Sequence, residues 1–238
     1  MKVDAFIPLK GHSSRVPGKN LRDFGGRPLF HVIVETLQSA ERVDRIFIDT
    51  DADEIADSAS SLGGVTVLRR DPDLVGDDVS VNLLIESFLD RTGARHVLQT
   101  HATNPLLRPS TIDLAVDRYF SDDAITSVFA VTRYQARFYT ADMAPVNHDP
   151  TELIPTQLLS PLYMENSNLY IFDADAFRRG GRRITDACAI WEMDPVEAVD
   201  IDEERDFTLA LALARAASEA DVEAKPVAGP DAGREREE

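Results

Sequence analysis

Short apolar runs alternate with amphipathic stretches along the first half of this chain. Val3–Ile7, Arg45–Asp49, Val65–Leu68, His96–Gln99 and Ile125–Val131 have the length and bounds of buried strands. Between them, apolar residues recur at 29, 30, 33, 34 and 37 within Leu29–Ala40. They recur at 81, 84, 85, 88 and 89 in Ser80–Arg91, and at 112, 115, 116 and 119 in Ser110–Phe120. That spacing is one face of a helix, with Ser80 and Ser110 placed as N-caps, the latter following Pro109. Strands alternating with helices across short connections predict an α/β fold with a mostly parallel sheet. Such sheets gather ligands beyond the carboxyl ends of their strands.

From Arg133 to Glu165 the period breaks. Tyr134, Phe138, Tyr139 and Tyr163 mix with Pro145, Pro150, Pro155 and Pro161, so no long helix fits and an excursion from the sheet, an arm or lid, is predicted. Asn168–Phe172 resumes as a strand, and Glu203 to about Ala217 closes the pattern as a helix with Phe207, Ala210, Leu211 and Ala214 on one face. One domain is expected over residues 1–220, with the 133–165 excursion inside it. Residues 221–238, rich in Pro, Gly and charge from Pro226 onward, are expected to form a disordered tail.

Composition narrows the function classes. With 238 residues, 43% of them hydrophobic, the chain can bury a sizeable core without staples. Cys188 is the only cysteine, which excludes an internal disulfide and a multi-thiolate zinc site. A strand starting at Val3 leaves no room for a signal peptide, and no apolar run is long enough for a bilayer, so a cytoplasmic protein with no membrane partner is expected. A net charge of −17 argues against nucleic acid as a partner.

Against that acidic background one basic loop stands out. Ile7-Pro8-Leu9-Lys10-Gly11-His12-Ser13-Ser14-Arg15-Val16-Pro17-Gly18-Lys19-Asn20 follows the first strand, and Lys10 and Lys19 are two of the chain's lysines, the others being Lys2 and Lys225. Small residues turn the backbone and expose N–H groups, while Lys10, Arg15 and Lys19 add positive charge, a combination suited to a polyphosphate. The loop lacks the Gly-Lys-Ser/Thr ending of a P-loop and the three-glycine dinucleotide spacing, and a merely solvated loop is its bland alternative. A balancing site lies at Ala198-Val199-Asp200-Ile201-Asp202. If this segment is extended, both aspartates share a face and offer hard oxygens to Mg²⁺. Asp202 is equally suited to cap the helix from Glu203.

The loop and the following Leu21-Arg22-Asp23-Phe24-Gly25-Gly26-Arg27-Pro28-Leu29 resemble the N-terminal signature of the acylneuraminate (CMP-sialic acid synthetase) cytidylyltransferases. Further matches follow in the family's order: Asp49-Thr50-Asp51, Arg70 with Asp77 to Ser80, Leu98-Gln99, Asn104-Pro105-Leu106-Leu107-Arg108, Glu165-Asn166 before Tyr170, and Asp200-Ile201-Asp202. The ending Ser14-Arg15-Val16-Pro17-Gly18-Lys19 is closer to the related 3-deoxy-manno-octulosonate (KDO) cytidylyltransferases.

The resemblance implies a Rossmann-like nucleotidyltransferase (GT-A-like) three-layer sandwich, usually a homodimer whose arms complete the neighbouring active site. It implies an Mg²⁺-dependent enzyme in which a 2-keto-3-deoxy sugar acid attacks the α-phosphate of CTP, giving a CMP-sugar and pyrophosphate. KDO or another acidic metabolite is the alternative acceptor, and a non-catalytic nucleotide binder of the same fold is the alternative class. By the same resemblance, Lys19, Arg15, Asp200 and Asp202 are catalytic, the aspartates holding the metal. Leu9, Lys10, Gly11, Ser13, Asn20, Arg70, Asp77, Ser80 and Gln99 bind the nucleotide. Thr103, Asn104, Gln157, Glu165 and Asn166 meet the sugar acid. His101, beyond the fourth strand, either contacts substrate or makes only local hydrogen bonds. Arg133 and Arg137 are further candidates for a substrate carboxylate, or else pair with the acidic surface.

Overall fold

The apolar runs become the interior strands of a single sheet in the computed structural model, which describes residues 1–223. The strands are β1 (Val3–Leu9), β2 (Val43–Thr50), β3 (Val65–Arg69), β4 (His96–Thr100), β5 (Ser127–Tyr134), β6 (Leu162–Asp173) and β7 (Cys188–Glu192). They lie in the order β3-β2-β1-β4-β6-β5-β7. The β1–β2, β1–β4, β2–β3 and β5–β7 pairs are parallel, whereas β6 runs antiparallel to both β4 and β5. The reason lies in the excursion: no crossover helix joins β5 to β6, so the chain must return the way it came. Tyr134 pairs with Leu162, which narrows the irregular part of the excursion to residues 135–161.

Alternation along the strands builds two core layers. Val3, Ala5, Ile7 and Leu9 of β1 face a cluster with helices α1 (Leu29–Ser39), α2 (Asp53–Ser60) and α4 (Pro109–Phe120). Phe6, between them, points to the opposite side, where α3 (Val81–Thr92) and α5 (Ala174–Gly180) pack. Helices therefore cover both faces, giving three layers. The α2 helix carries too few apolar residues to announce itself in the sequence, and β7 is a run of only five residues. Ile55, Ala56 and Ala59 alone bury the α2 face, and β7 is an edge strand with alternate residues exposed.

Helix α3 starts where expected, with Ser80 Oγ accepting the Asn82 N–H at 3.3 Å. Helix α4 does not use Ser110 as its cap. Arg108 is the N-cap and Pro109 takes the first helical position, where its missing N–H costs nothing. The last helix, α6, spans Glu204–Glu223 and so continues past the expected end near Ala217. Residues 221–223, expected to open a disordered tail, are helical, and the rest of that expected tail, from residue 224 onward, lies outside the described residues.

A third, smaller cluster matters most for the site. Phe207 and Ala210 of α6 pack with Phe24, Leu29 and Val32, and Ile201 is fully buried among them. This docks the segment leading into α6 beside the carboxyl end of β1.

At the same end of the sheet, Arg70 leaves β3 and folds inward. Its guanidinium donates to Asp49 Oδ1 at 2.6 Å and to the carbonyls of Leu9 and Asp49 at 3.3 and 3.2 Å. It thereby ties the ends of β1, β2 and β3 together from a position only 6% exposed. Burial pushes the Asp49 carboxyl up, and Arg70 opposes that push. Replacing Arg70 with Met strands a buried carboxylate and should cost about 3–5 kcal/mol in urea unfolding. Because the neutral acid tolerates burial, the loss should shrink as pH falls through the raised Asp49 value; a loss independent of pH would contradict the pairing.

Candidate active site

The strand β1 delivers the basic loop to the carboxyl edge of the sheet, and specific contacts shape it there. The Gly11 N–H donates to Asp51 Oδ1 at 2.7 Å, and a Cβ at Gly11 would fall 2.6 Å from the Ala52 Cβ. Glycine is needed because the loop presses on the turn between β2 and α2. Its N–H is engaged by Asp51, and Gly11 is not among the cavity-lining residues. Asn20 Nδ2 donates to the Lys10 carbonyl at 2.8 Å and draws the two ends of the loop together. Ser13 Oγ accepts the Val16 N–H at 3.4 Å.

These elements surround a cavity of about 360 Å³ whose lining includes Leu9, Lys10, Ser13, Arg15, Lys19, Asn20, Arg70, Asp77, His101 and Thr103. The carboxylates sit behind the loop. Arg15 donates to Asp202 Oδ1 at 2.7 Å, and Lys19 Nζ donates to the Ile201 carbonyl at 2.7 Å. The Ile201 N–H reaches back to the Thr103 carbonyl at 2.9 Å. The segment Asp200–Asp202 forms no strand, yet buried Ile201 still leaves its two neighbours turned toward the loop.

Burial pushes the Lys19 ammonium down, while Asp200 and Asp202 pull it back. Burial likewise pushes the Asp200 carboxyl up against the Thr103 hydroxyl, Lys19 and Arg15, which favour its charge. Asp200 Oδ1 is buried without a hydrogen-bond partner. The two roles weighed for Asp202 also separate. Asp206 Oδ2 accepts the N–H groups of Asp202 and Glu203 at 3.1 and 2.8 Å, so Asp206 caps α6 and the Asp202 carboxylate serves the loop.

The family profile described as cytidylyltransferase matches residues 5–216. The chain belongs to the cytidylyltransferase family. It is 27% identical over 216 residues to the N-acylneuraminate cytidylyltransferase of Oncorhynchus mykiss, covering 87% of this chain but 49% of that protein. It is 28% identical over 222 residues to the CMP-N,N'-diacetyllegionaminic acid synthase of Legionella pneumophila, covering 88% of this chain and 94% of that one. Among solved structures, CMP:2-keto-3-deoxy-manno-octonic acid synthetase complexed with CTP superposes with a TM-score of 0.66 at 16% identity, over 92% of this chain and 100% of that chain. That likeness establishes the nucleotidyltransferase fold.

The remaining expected residues divide between the cavity and its supports. Asp77 pairs with Lys10 at 3.3 Å, an exposed contact of little energetic weight. Ser80 is occupied as the α3 cap, and Gln99, Asn104, Gln157, Glu165 and Asn166 are not among the cavity-lining residues. Gln99 is fully buried beneath His101. Asn166 holds a bulge in β6, donating to Thr132 Oγ1 at 3.1 Å and accepting the Asn168 N–H at 3.2 Å around Ser167, whose φ is 59°. Asn104 is fully buried with both amide atoms unpartnered. Gln157 is exposed in a 3₁₀ turn of the excursion, Thr156–Leu158. Arg133 bonds Gln135, and Arg137 donates to the Ile154 carbonyl, so both are engaged within the excursion.

Arg183 was not singled out by the sequence. It lies between α5 and β7, donates to Gln99 Oε1 at 2.7 Å and stacks 3.4 Å over the Tyr170 ring. One arginine among the four of Arg178-Arg179-Gly180-Gly181-Arg182-Arg183 carries no local signal of such a role.

The contact at Gly11 is directly testable. Gly11→Ala should lower stability by about 1–3 kcal/mol through overpacking against Ala52. Adding Ala52→Gly should recover most of the loss in thermal unfolding; absence of recovery would show that the methyl collides elsewhere.

Proposed function

We propose that this chain transfers CMP from CTP to an acidic 2-keto-3-deoxy sugar, releasing pyrophosphate. The observation that carries this is the pairing of the loop bearing Lys10, Arg15 and Lys19 with Asp200 and Asp202 at the carboxyl edge of a cytidylyltransferase sheet. The names of the relatives, which act on acidic sugars, support the acceptor class. The chain spans only about half the length of the Oncorhynchus mykiss protein, so the proposal concerns the transferase step alone.

The reaction asks for placement and charge neutralisation rather than a protein nucleophile. A sugar hydroxyl oxygen bonds to the α-phosphorus as it loses its proton, and the bond from that phosphorus to the bridging oxygen breaks to release pyrophosphate. Lys19 and Arg15 offset the charge that gathers on the leaving group, in a partly buried setting where such contacts are stronger than in water. Lys10 and Asn20 shape the loop around the phosphates. Leu9 and Arg70 form the floor on which the base is expected to rest.

Mg²⁺ fits the donor set. Asp200 and Asp202 are hard carboxylate ligands, and the buried Oδ1 of Asp200 has no hydrogen-bond partner to compete with a cation. Among the described residues no cluster of three or more His, Cys, Asp or Glu could hold a metal alone, so phosphate and water oxygens would complete the coordination. When bound, Mg²⁺ supplies charge neutralisation at the phosphates and acidifies a coordinated hydroxyl. Asp202, which pairs with Arg15 in the ligand-free protein, would then hold the metal, and Arg15 would be free to turn to the triphosphate.

The loop ending Arg15-Val16-Pro17-Gly18-Lys19 favours a second acceptor, KDO. The excursion's exposed Tyr139, Met143, Leu153 and Leu158 support a homodimer, to be checked by sedimentation. A pyrophosphate-release assay crossing the four nucleoside triphosphates with sialic, legionaminic, pseudaminic and KDO acids tests the function. Release is expected with CTP and one class of acid, and with Mg²⁺ present. No release with any pair would overturn the proposal. Lys19→Ala and Asp202→Ala should each reduce kcat by about 100-fold or more, and unchanged turnover in either would remove that residue from the site.

A further inference from the structure

Five side chains link the base of the excursion to the cavity. Glu165, on β6, accepts a hydrogen bond from the Tyr170 hydroxyl and lies 3.7 Å from the Arg183 guanidinium. Arg183 is stacked on the Tyr170 ring and donates to Gln99 Oε1 at 2.7 Å. Gln99 Nε2 lies 3.0 Å from His101 Nε2. His101 lines the cavity.

The donor and acceptor roles along this chain have one consistent assignment. A guanidinium has only N–H donors, so the Gln99 oxygen must face Arg183. The Gln99 NH₂ group then faces His101, and Nε2 of the imidazole must accept. An accepting Nε2 carries no proton, which leaves the proton of the neutral ring on Nδ1. Burial pushes His101 down to about 4, with Arg183 and Lys19 adding to the shift, so the ring is neutral. Its Nδ1 has no hydrogen-bond partner among the described residues and is not a fully enclosed orphan.

We propose that Glu165, Arg183 and Gln99 are positioning residues that lock His101 in the Nδ1–H tautomer and present that N–H to an anionic oxygen of the bound ligand. The acceptor is a phosphate of the nucleotide or the carboxylate of the acid; a neutral donor selects such an oxygen without adding another cation to the loop. The ligand half of this proposal rests on the function proposed above, whereas the tautomer does not.

The test begins on ligand-free protein labelled with ¹⁵N-histidine at pH 7, using His101→Phe to assign the signals. Long-range ¹H–¹⁵N spectra should show His101 Nδ1 protonated and Nε2 bare. Gln99→Glu replaces the donor with an acceptor and should move the proton to Nε2. If that variant fails to fold, Arg183→Met frees the Gln99 amide to turn and should give a mixture of tautomers. Protonated Nε2 in the unsubstituted protein, or an unchanged tautomer in the variants, overturns the proposal.

In the transfer assay, His101→Phe should raise one KM, that of CTP or that of the acid, by about ten- to a hundredfold, the effect of one hydrogen bond to a charged oxygen. His101→Asn, which keeps an N–H donor, should recover most of it. The KM that moves identifies phosphate or carboxylate as the acceptor, and no movement in either overturns the donor role. Absence of transfer by the unsubstituted protein sinks the proposed function, leaving the tautomer to be decided by the spectra and the nucleotide contact by CTP calorimetry.

Discussion

The burial of Ile201 organises the candidate site. Its side chain is fully enclosed by Phe24, Leu29, Val32, Phe207 and Ala210, so α6 and α1 cannot pack without it. Apolar burial supplies the driving force, and the flanking aspartates go where the backbone sends them. That place is beside Lys19 and Arg15, which emerge from a loop held by Gly11 against Ala52. A small hydrophobic cluster, rather than charge attraction, thus sets the distance between basic loop and acidic segment. Exposed ion pairs could not do so, being worth little individually.

Opposed burial effects give the site its electrostatic character. Burial pushes Lys19 toward its neutral form, opposed by Asp200 and Asp202, and pushes Asp200 toward its own, opposed by the Thr103 hydroxyl, Lys19 and Arg15. Asp200 Oδ1 lacks a hydrogen-bond partner, and Arg15 has a single carboxylate, that of Asp202. A phosphate-rich ligand would relieve the loop, and a cation would relieve the aspartates. Despite the overall charge of −17, the cavity is therefore a place where both signs are in demand.

Much of this was legible in the chain because its cues are local. The run Val3–Ile7, the cations of the following loop and the helical period of Leu29–Ala40 each lie within one short window. The alternation around Ile201 was legible too, although no strand forms there. What escaped the sequence depends on distant partners. The Gly11 N–H is claimed by Asp51, forty residues away, and Gln99 is claimed by Arg183, eighty-four residues away. The helix α2 was missed because three small or medium apolar residues suffice when a sheet lies beneath them. The antiparallel course of β6 was missed because it follows from a missing crossover, and an irregular segment does not declare its return path.

The β6 bulge has a geometric consequence of its own. Phe129 pairs with Tyr170 and Val131 with Glu165, so β5 advances by 131 − 129 = 2 residues while β6 covers 170 − 165 = 5. In an unbroken strand, side chains an odd number of positions apart point to opposite faces. The inserted residues reverse that parity, putting Glu165 on the face of Tyr170, within reach of its hydroxyl and of Arg183. The bulge acts as a phase shifter. It lets the solvent-facing start of a strand communicate with groups beneath the cavity, so the excursion and the cavity floor share one mechanical connection through the sheet rather than across open solvent.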